Sequence, residues 1–307
     1  GLRGSLRSLV RRRVEAVPAV RGVSFDVQAG EKVAFIGPNG AGKSTTIKML
    51  TGILHPTSGE ASVLGYVPWT DRKKLVARIG CVFGQRSQLW YHLPVLETFR
   101  LLGRVYDLGE RDSRERLDEL VALFELEELL AQPVRKLSLG QRMRCEIAAS
   151  LLHRPEAVFL DEPTIGLDVV ARTRVRDLLL RLNEQDGTTL FLTSHDAGDI
   201  EEVCERVLLI DEGRVMLDTS VRQLKAEHLR VKRVDAVLQE DSTELVLPGV
   251  ETLPAGRHHA AFRVDTQVTP VDRVVAELVR GASVLDLTIS APRLETVIAA
   301  LYAGEVP

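Results

Sequence analysis

Apolar residues along this chain follow two rhythms. Short β-branched-rich runs, "KVAFIG", "GCVFG", "AVFLD", "TTLFLTS" and "RVLLID", stop at polar or Gly-rich turns and predict buried strands. Elsewhere apolar positions recur at helical spacing. Met143, Ile147 and Leu151 are one such series, and they predict a helix opening near Ser138. The alternation from about Val33 to Leu217 predicts an α/β fold, a largely parallel sheet covered by helices. A charged, helix-forming stretch at about 93–152 is too long for a plain crossover and predicts a helical subdomain. After about Ser220 the rhythm restarts. "VKRVDAVLQ", "TELVLPG", "HAAFRV" and "SVLDLTI" predict strands, while "PVDRVVAELVRGA" and "PRLETVIAALY" predict helices. The expected order is a basic arm at 1–16, a main domain at 17–220 and a small separate α/β unit at 228–307.

Composition narrows the function classes. A chain of 307 residues, 45% hydrophobic and 27% charged, has room for one large globular domain and a small one. No apolar run approaches the roughly 20 residues that span a bilayer, so any membrane role is peripheral or belongs to a partner. The net charge of −3 gives no support for nucleic-acid binding. Cys81, Cys145 and Cys204 lie far apart without a CxxC pair, which predicts buried thiols in a reducing compartment. "GLRGSLRSLVRRR" has no apolar core or cleavage site and is not a secretory signal. The chain begins at Gly1 rather than Met, so a preceding segment is expected. Arg3, Arg7, Arg11, Arg12 and Arg13 form either an anionic-lipid contact or a solvated arm.

Three stretches carry chemistry. "GPNGAGKST" (Gly37, Pro38, Asn39, Gly40, Ala41, Gly42, Lys43, Ser44, Thr45) fits G-x-x-x-x-G-K-[ST] between a strand and the helical run "TTIKMLTGIL". Glycines let such a loop wrap an anion with its N–H groups. Lys43 can reach the β- and γ-phosphates, and the Ser44 hydroxyl can ligate Mg²⁺. In "AVFLDEPTIGLD" a strand ends in Asp161, suited to a Mg²⁺ shell, and Glu162, suited to polarise a water. "LSLGQRMR" opens a helix at Ser138, Leu139, Gly140 and Gln141, and bare N–H groups at a helix start suit an anion.

The order of phosphate loop, Gln85 in "CVFGQ", "LSLGQ", "LDEPTIGLD" and His195 in "TSHD" resembles the nucleotide-binding domain of ABC ATPases, from about Val17 to Leu217. The resemblance implies a P-loop NTPase fold, ATP and Mg²⁺ as cofactors, and ATP hydrolysis. It also implies a homodimer or heterodimer in which one subunit's signature meets the γ-phosphate held by the other's loop. Residue by residue, Ser138, Gly140 and Gln141 match signature contacts to phosphate. Leu139 replaces a glycine there but still offers its N–H. Gln85 matches the residue that senses Mg²⁺ and the attacking water, and Asp161 matches the metal-shell carboxylate. Glu162 matches the base, Asp168 the loop linking the two sites, and His195 the γ-phosphate switch. Val14 stands where the family has an adenine-stacking aromatic. Adenine therefore rests on Val14 and an Arg such as Arg13, or on a residue of a preceding segment.

Within the family, "VFGQRSQLWYHLPVLETF" and "LSLGQRMR" look like the ATP-binding subunits of ABC-2-type exporters. That implies a separate membrane permease and a cytoplasmic subunit peripheral on the inner face of the cell membrane. Trp90 and Tyr91 then either border a groove for a permease helix or pack inside the helical subdomain. A non-transport ABC ATPase acting on ribosomes or DNA is the competing reading. One phosphate loop and no long heptad stretch argue against it. A P-loop kinase or GTPase would leave "LSLGQ" and His195 unexplained.

Overall fold

The computed structural model describes residues 18–84, 87–194, 196–228, 231–239, 245–290 and 294–303. The basic arm, Val14, Gln85 and His195 lie outside the described residues. In chain order the first elements are β1 (Lys32–Ile36), α1 (Lys43–Leu50), α2 (Arg72–Val76) and β2 (Ile79–Phe83). The helical stretch follows as α3 (Val95–Val105), α4 (Glu110–Phe124) and α5 (Leu139–Ser150). Then come β3 (Ala157–Asp161), α6 (Val169–Asp186), β4 (Thr189–Thr193), α7 (Ala197–Val203), β5 (Arg206–Asp211), β6 (Arg214–Ser220) and α8 (Val221–His228).

These strands form one six-stranded sheet in the order β2-β3-β4-β1-β5-β6, parallel except for β6. β1 to β5 lack polar alternation because both sheet faces are covered there, whereas the edge strand β6 alternates exposed and half-buried residues. Val33 and Phe35 of β1 enter one core, and Ala34 and Ile36 enter the larger core on the other side. β3 and β4 divide the same way, with Phe159 and Phe191 opposite Leu160 and Leu192. β6 returns antiparallel through a tight hairpin in which Glu212 (φ 44°) and Gly213 (φ 77°) are both left-handed. The helix after the phosphate loop is shorter than "TTIKMLTGIL" predicts. It stops at Leu50 because Gly52 turns away at φ 70°, where an added Cβ would lie 2.3 Å from the Pro68 carbonyl oxygen.

The C-terminal residues form β7 (Val231–Leu238), β8 (Val250–Leu253), β9 (His259–Asp265), α9 (Val271–Gly281), β10 (Val284–Ser290) and α10 (Leu294–Ala303). Their antiparallel sheet runs β10-β7-β9-β8. α9 packs on one face through Val274 and Leu278, against Val234, Ala236, Phe262 and Val264. "TELVLPG" was expected as a strand, but its described part, Leu245–Gly249, is a loop. Pro248 has no N–H for a ladder and Gly249 turns at φ 69°, so the strand starts one residue later at Val250. This sheet and α9 enclose a core of their own. α10 leaves it, and its Leu294 and Val297 join the larger core of the main domain.

Candidate nucleotide site

The phosphate loop leaves β1 at Gly37 and enters α1 at Lys43. It is clamped from three sides. An added Cβ on Gly37 would lie 2.3 Å from the Ile210 carbonyl oxygen. One on Gly42 would lie 2.6 Å from that of Ala19. The Gly213 N–H of the β5–β6 hairpin donates to the Ala41 carbonyl at 3.0 Å. Only glycine permits these approaches, and Gly40 and Gly42 also sit at φ 87° and 103°. The Lys43 ammonium is buried and folds back on its own loop, donating to the Gly37 carbonyl at 2.6 Å and to that of Pro38 at 3.1 Å. Burial lowers its pKa, and the charges of Glu162 and Asp161 oppose the shift. The ammonium and both carboxylates thus share one site. Ser44 and Thr45 follow in the first turn of α1, where unsatisfied N–H groups and the positive helix end favour an anion.

Strand register brings the carboxylates to the loop. Asp161, the last residue of β3, lies level with Phe83 of β2 and Thr193 of β4. Thr193 Oγ1 donates to Asp161 Oδ1 at 2.7 Å and accepts from the Glu162 N–H at 3.0 Å. Gly84 donates its N–H to the Asp161 carbonyl at 2.9 Å. Glu162 itself is left-handed at φ 56°, a strained setting for a residue with a side chain, and such strain gathers at working sites. Asp161 and Ser44 supply the hard oxygen donors that Mg²⁺ prefers.

Ser138 caps α5, and the predicted series Met143, Ile147 and Leu151 is buried. Ser138 Oγ accepts from the Gln141 N–H, while Gln141 Oε1 accepts from the Ser138 N–H, a complete capping box. Helix geometry leaves the N–H groups of Leu139 and Gly140 without a carbonyl one turn back, so they can take an anion. Gly140 is required by packing, since an added Cβ would lie 2.8 Å from the Ala171 Cβ on α6. Leu139 rests on Gly166, its Cδ2 3.0 Å from where a Cβ there would be. Asp168 is spent as the cap of α6, accepting from the Ala171 N–H at 2.8 Å. Around these residues Leu139, Ile165, Val169 and Val170 expose apolar side chains.

Sequence reasoning missed the network behind this face. Asp199 of α7 is 2% exposed and accepts from Thr164 Oγ1, from Ser194 Oγ at 2.5 Å and from Arg176 Nε at 2.7 Å. Arg176 also bonds Asp196 at 2.8 Å and Glu202 at 3.1 Å. Arg172 joins Asp196 to the Leu167 carbonyl. The network ties Thr164, two residues past Glu162, to Ser194 and Asp196. Arginines four apart on α6 were the only signal available, and spacing alone does not name their partners.

Trp90 and Tyr91 are not core residues. They are 42% and 55% exposed, and their loop is held by its backbone. Trp90 N–H donates to Thr98 Oγ1 at 3.2 Å, and the Tyr91 carbonyl accepts from Arg135 N–H at 3.0 Å. Cys145 and Cys204 are buried as expected. Cys81 is only half-buried as a residue, yet burial of its thiol pushes the pKa up to about 12, leaving it inert.

A strand, a clamped N–H-rich loop with its lysine opening a helix, and carboxylates at the end of β3, two strands away in the sheet, define a P-loop nucleoside triphosphatase. The family model for ABC transporters matches residues 20–165. The linearmycin resistance ATP-binding protein LnrL of Bacillus subtilis is 30% identical, over 90% of this chain and 91% of that protein. The daunorubicin resistance ATP-binding protein DrrA3 of Streptomyces coeruleorubidus is 34% identical, over 91% and 89%. Among solved structures, cbiO1 of Clostridium perfringens, part of an ABC transporter complex, superposes with a TM-score of 0.61. It is 32% identical and the match covers 68% of this chain and 84% of that one. A dimeric ATP-binding cassette in a post-hydrolysis state, bound to ADP and Pi, gives 0.60 at 30% identity, over 66% and 91%. This chain belongs to the ABC transporter family. It is an ATP hydrolase that binds ATP with Mg²⁺, dimerises and pairs with a membrane permease.

Proposed function

We propose that this chain is the ATP-hydrolysing subunit of an ABC-2-type exporter, peripheral on the cytoplasmic face of the membrane, whose cargo is an amphipathic antibiotic-like compound. The observation that carries this reading is the half-exposed Trp90–Tyr91 pair, held by backbone bonds beside the helical subdomain. Exposed aromatics on a fixed loop are favoured anchors for a partner helix. Relatives named for linearmycin, daunorubicin and fluoroquinolone resistance or export support the cargo class.

In this reading Lys43 exchanges the carbonyls of Gly37 and Pro38 for phosphate oxygens, while the N–H groups of Gly40 to Thr45 surround the phosphates. Ser44 and Asp161 would hold Mg²⁺, with Gln85 completing the set, and the bound ion would supply positive charge to the phosphoryl oxygens. Glu162 takes the proton of the attacking water. Leu139 and Gly140 present their N–H groups, and Ser138 its hydroxyl, to the ATP of a second subunit, and His195 contacts the same phosphate from the first. The exposed Leu139, Ile165, Val169 and Val170 suit burial between the two subunits.

Co-expression with a candidate permease of about six apolar spans tests the assignment. Co-purification and ATPase stimulation, both lost on Tyr91→Ala, are expected. A chain that ignores such permeases but binds ribosomes would refute it. In isolation, activity should rise faster than linearly with protein concentration, because each ATP needs two subunits.

A further inference from the structure

Among the described residues the Tyr302 hydroxyl finds no hydrogen-bond partner, although it is buried. Tyr302 stands in the last turn of α10. Leu294 and Val297 of that helix are buried in the larger core, and Ile298, Leu301 and Tyr302 pack against it. An unpaired buried donor destabilises a fold, and a phenylalanine would fill the same space without that cost. A second arrangement of the site, in which the hydroxyl is paired, accounts for it.

Asp211 is the acceptor within reach. Burial and then the charge of Asp211 raise the Tyr302 pKa. Asp211 ends β5 two residues after Leu209, so strand alternation turns it to the face that carries Leu209 and α10. Ile210, between them, faces the opposite core. Asp211 Oδ1 accepts from the Glu212 N–H at 2.9 Å, and a carboxylate has room for a further donor.

Asp211 also lies between the two points at which the β5–β6 hairpin grips the phosphate loop. Just before it, the Ile210 carbonyl sits so close to Gly37 that no Cβ fits between them. Just after it, the Gly213 N–H holds the Ala41 carbonyl at 3.0 Å. When Lys43 leaves the carbonyls of Gly37 and Pro38 for phosphate oxygens, the loop loses two bonds that now fix it. Gly37 cannot shift toward the hairpin without moving Ile210, and Ile210 carries Asp211 with it.

We propose that Tyr302 is a positioning residue for nucleotide binding, whose hydroxyl donates to Asp211 when the phosphate loop holds ATP and so fixes the hairpin in its grip. The proposal rests on the reading that Lys43 turns from the loop carbonyls to phosphate. Tyr302 touches no nucleotide. A bond made in the bound state alone raises affinity, because a ligand shifts a two-state equilibrium by its differential affinity for the states. The end of α10 is thus part of the support of the ATP site, and drawing it off the main core weakens binding.

The test compares full-length wild type with Tyr302→Phe, Asp211→Ala, their double variant and Val297→Ala, a loosened control on the same helix. Binding of a non-hydrolysable ATP analogue with Mg²⁺ is titrated by calorimetry, and melting temperature is read without nucleotide. In Tyr302→Phe the dissociation constant should rise about tenfold, the worth of one hydrogen bond to a charged group. Without nucleotide this variant should melt no lower than wild type, because it removes an unpaired hydroxyl. In the Asp211→Ala background, Tyr302→Phe should weaken binding no further. Val297→Ala should lower the melting temperature and leave the dissociation constant unchanged. Wild-type affinity in Tyr302→Phe, an equal loss in Val297→Ala, or a full further loss in the double variant overturns the proposal. Lys43→Ala is titrated alongside. If it binds the analogue as tightly as wild type, the lysine reading fails separately, and the affinity of Tyr302→Phe still decides the role of Tyr302.

Discussion

Replacing Arg176 by Met should test the network behind the catalytic carboxylates most directly. Arg176 is 8% exposed and holds three carboxylates, of which Asp199 is almost fully buried. Met fills similar volume without charge, so the variant leaves Asp199 with only the hydroxyls of Thr164 and Ser194. Breaking a buried pair by removing one partner costs about 3–5 kcal/mol. For a domain of this size that corresponds to a fall in melting temperature of about 6–20 °C. Adding Asp199→Asn should restore much of the loss, because the amide no longer carries an unpaired charge yet still accepts from a hydroxyl. Thermal melts of the two single variants and the double variant, with Mg-ATP turnover at 20 °C as a roughly sub-melting reference, measure both effects. Turnover per folded molecule should fall too, because Thr164 leads directly from Glu162. A melting temperature for Arg176→Met within about 2 °C of wild type would show that the network carries little of the fold's stability.

Three further outcomes are expected. Glu162→Gln should retain ATP binding, lose turnover and accumulate as an ATP-bound dimer on size exclusion, whereas Lys43→Ala should weaken phosphate binding and form no such dimer. Trp90→Ala should cost less than the about 3–5 kcal/mol expected for a fully buried Phe99→Ala, seen as a smaller fall in melting temperature, while permease binding is lost. Arg206 holds the Asp218 carboxyl below its ordinary range through a paired contact at 2.6 Å. The stabilisation is present above the unfolded pKa of about 3.9 and is lost as pH falls through the lower folded value. Acid melts of Asp218→Asn should therefore lose less stability than wild type below about pH 4 and run parallel to it above about pH 5.

The phosphate loop, the strand-end carboxylates and the signature were readable because each is contiguous and bound to one element boundary. A strand ends, a helix begins, and the chemistry sits at the joint. Long-range partners were not. The link from Asp199 to Thr164 and Arg176 depends on how α6 and α7 pack, and no period in the sequence encodes it. The Leu139–Gly166 contact belongs to the same class. "TELVLPG" misled because its alternation was read through Pro248 and Gly249, which end a loop rather than extend a strand. β6 went unread although "DEGR" carries a hairpin signal, because Met216 on its outer side and Thr219 on its inner side break the apolar alternation. The two aromatics were left open between core and surface because a ring's size is visible in sequence and its exposure is not.

The docking of α10 onto the main core has a consequence for biosynthesis. A ribosome releases Leu294 and Val297 long after β5 and β6, at about 5–20 residues per second. For several seconds the ATPase core is present but carries an uncovered apolar patch beside α7, where these side chains will lie. During that interval the nascent cassette is a substrate for chaperones and for premature pairing. The final helix therefore acts as a seal, and the cassette is complete only after the intervening β-rich unit has been made.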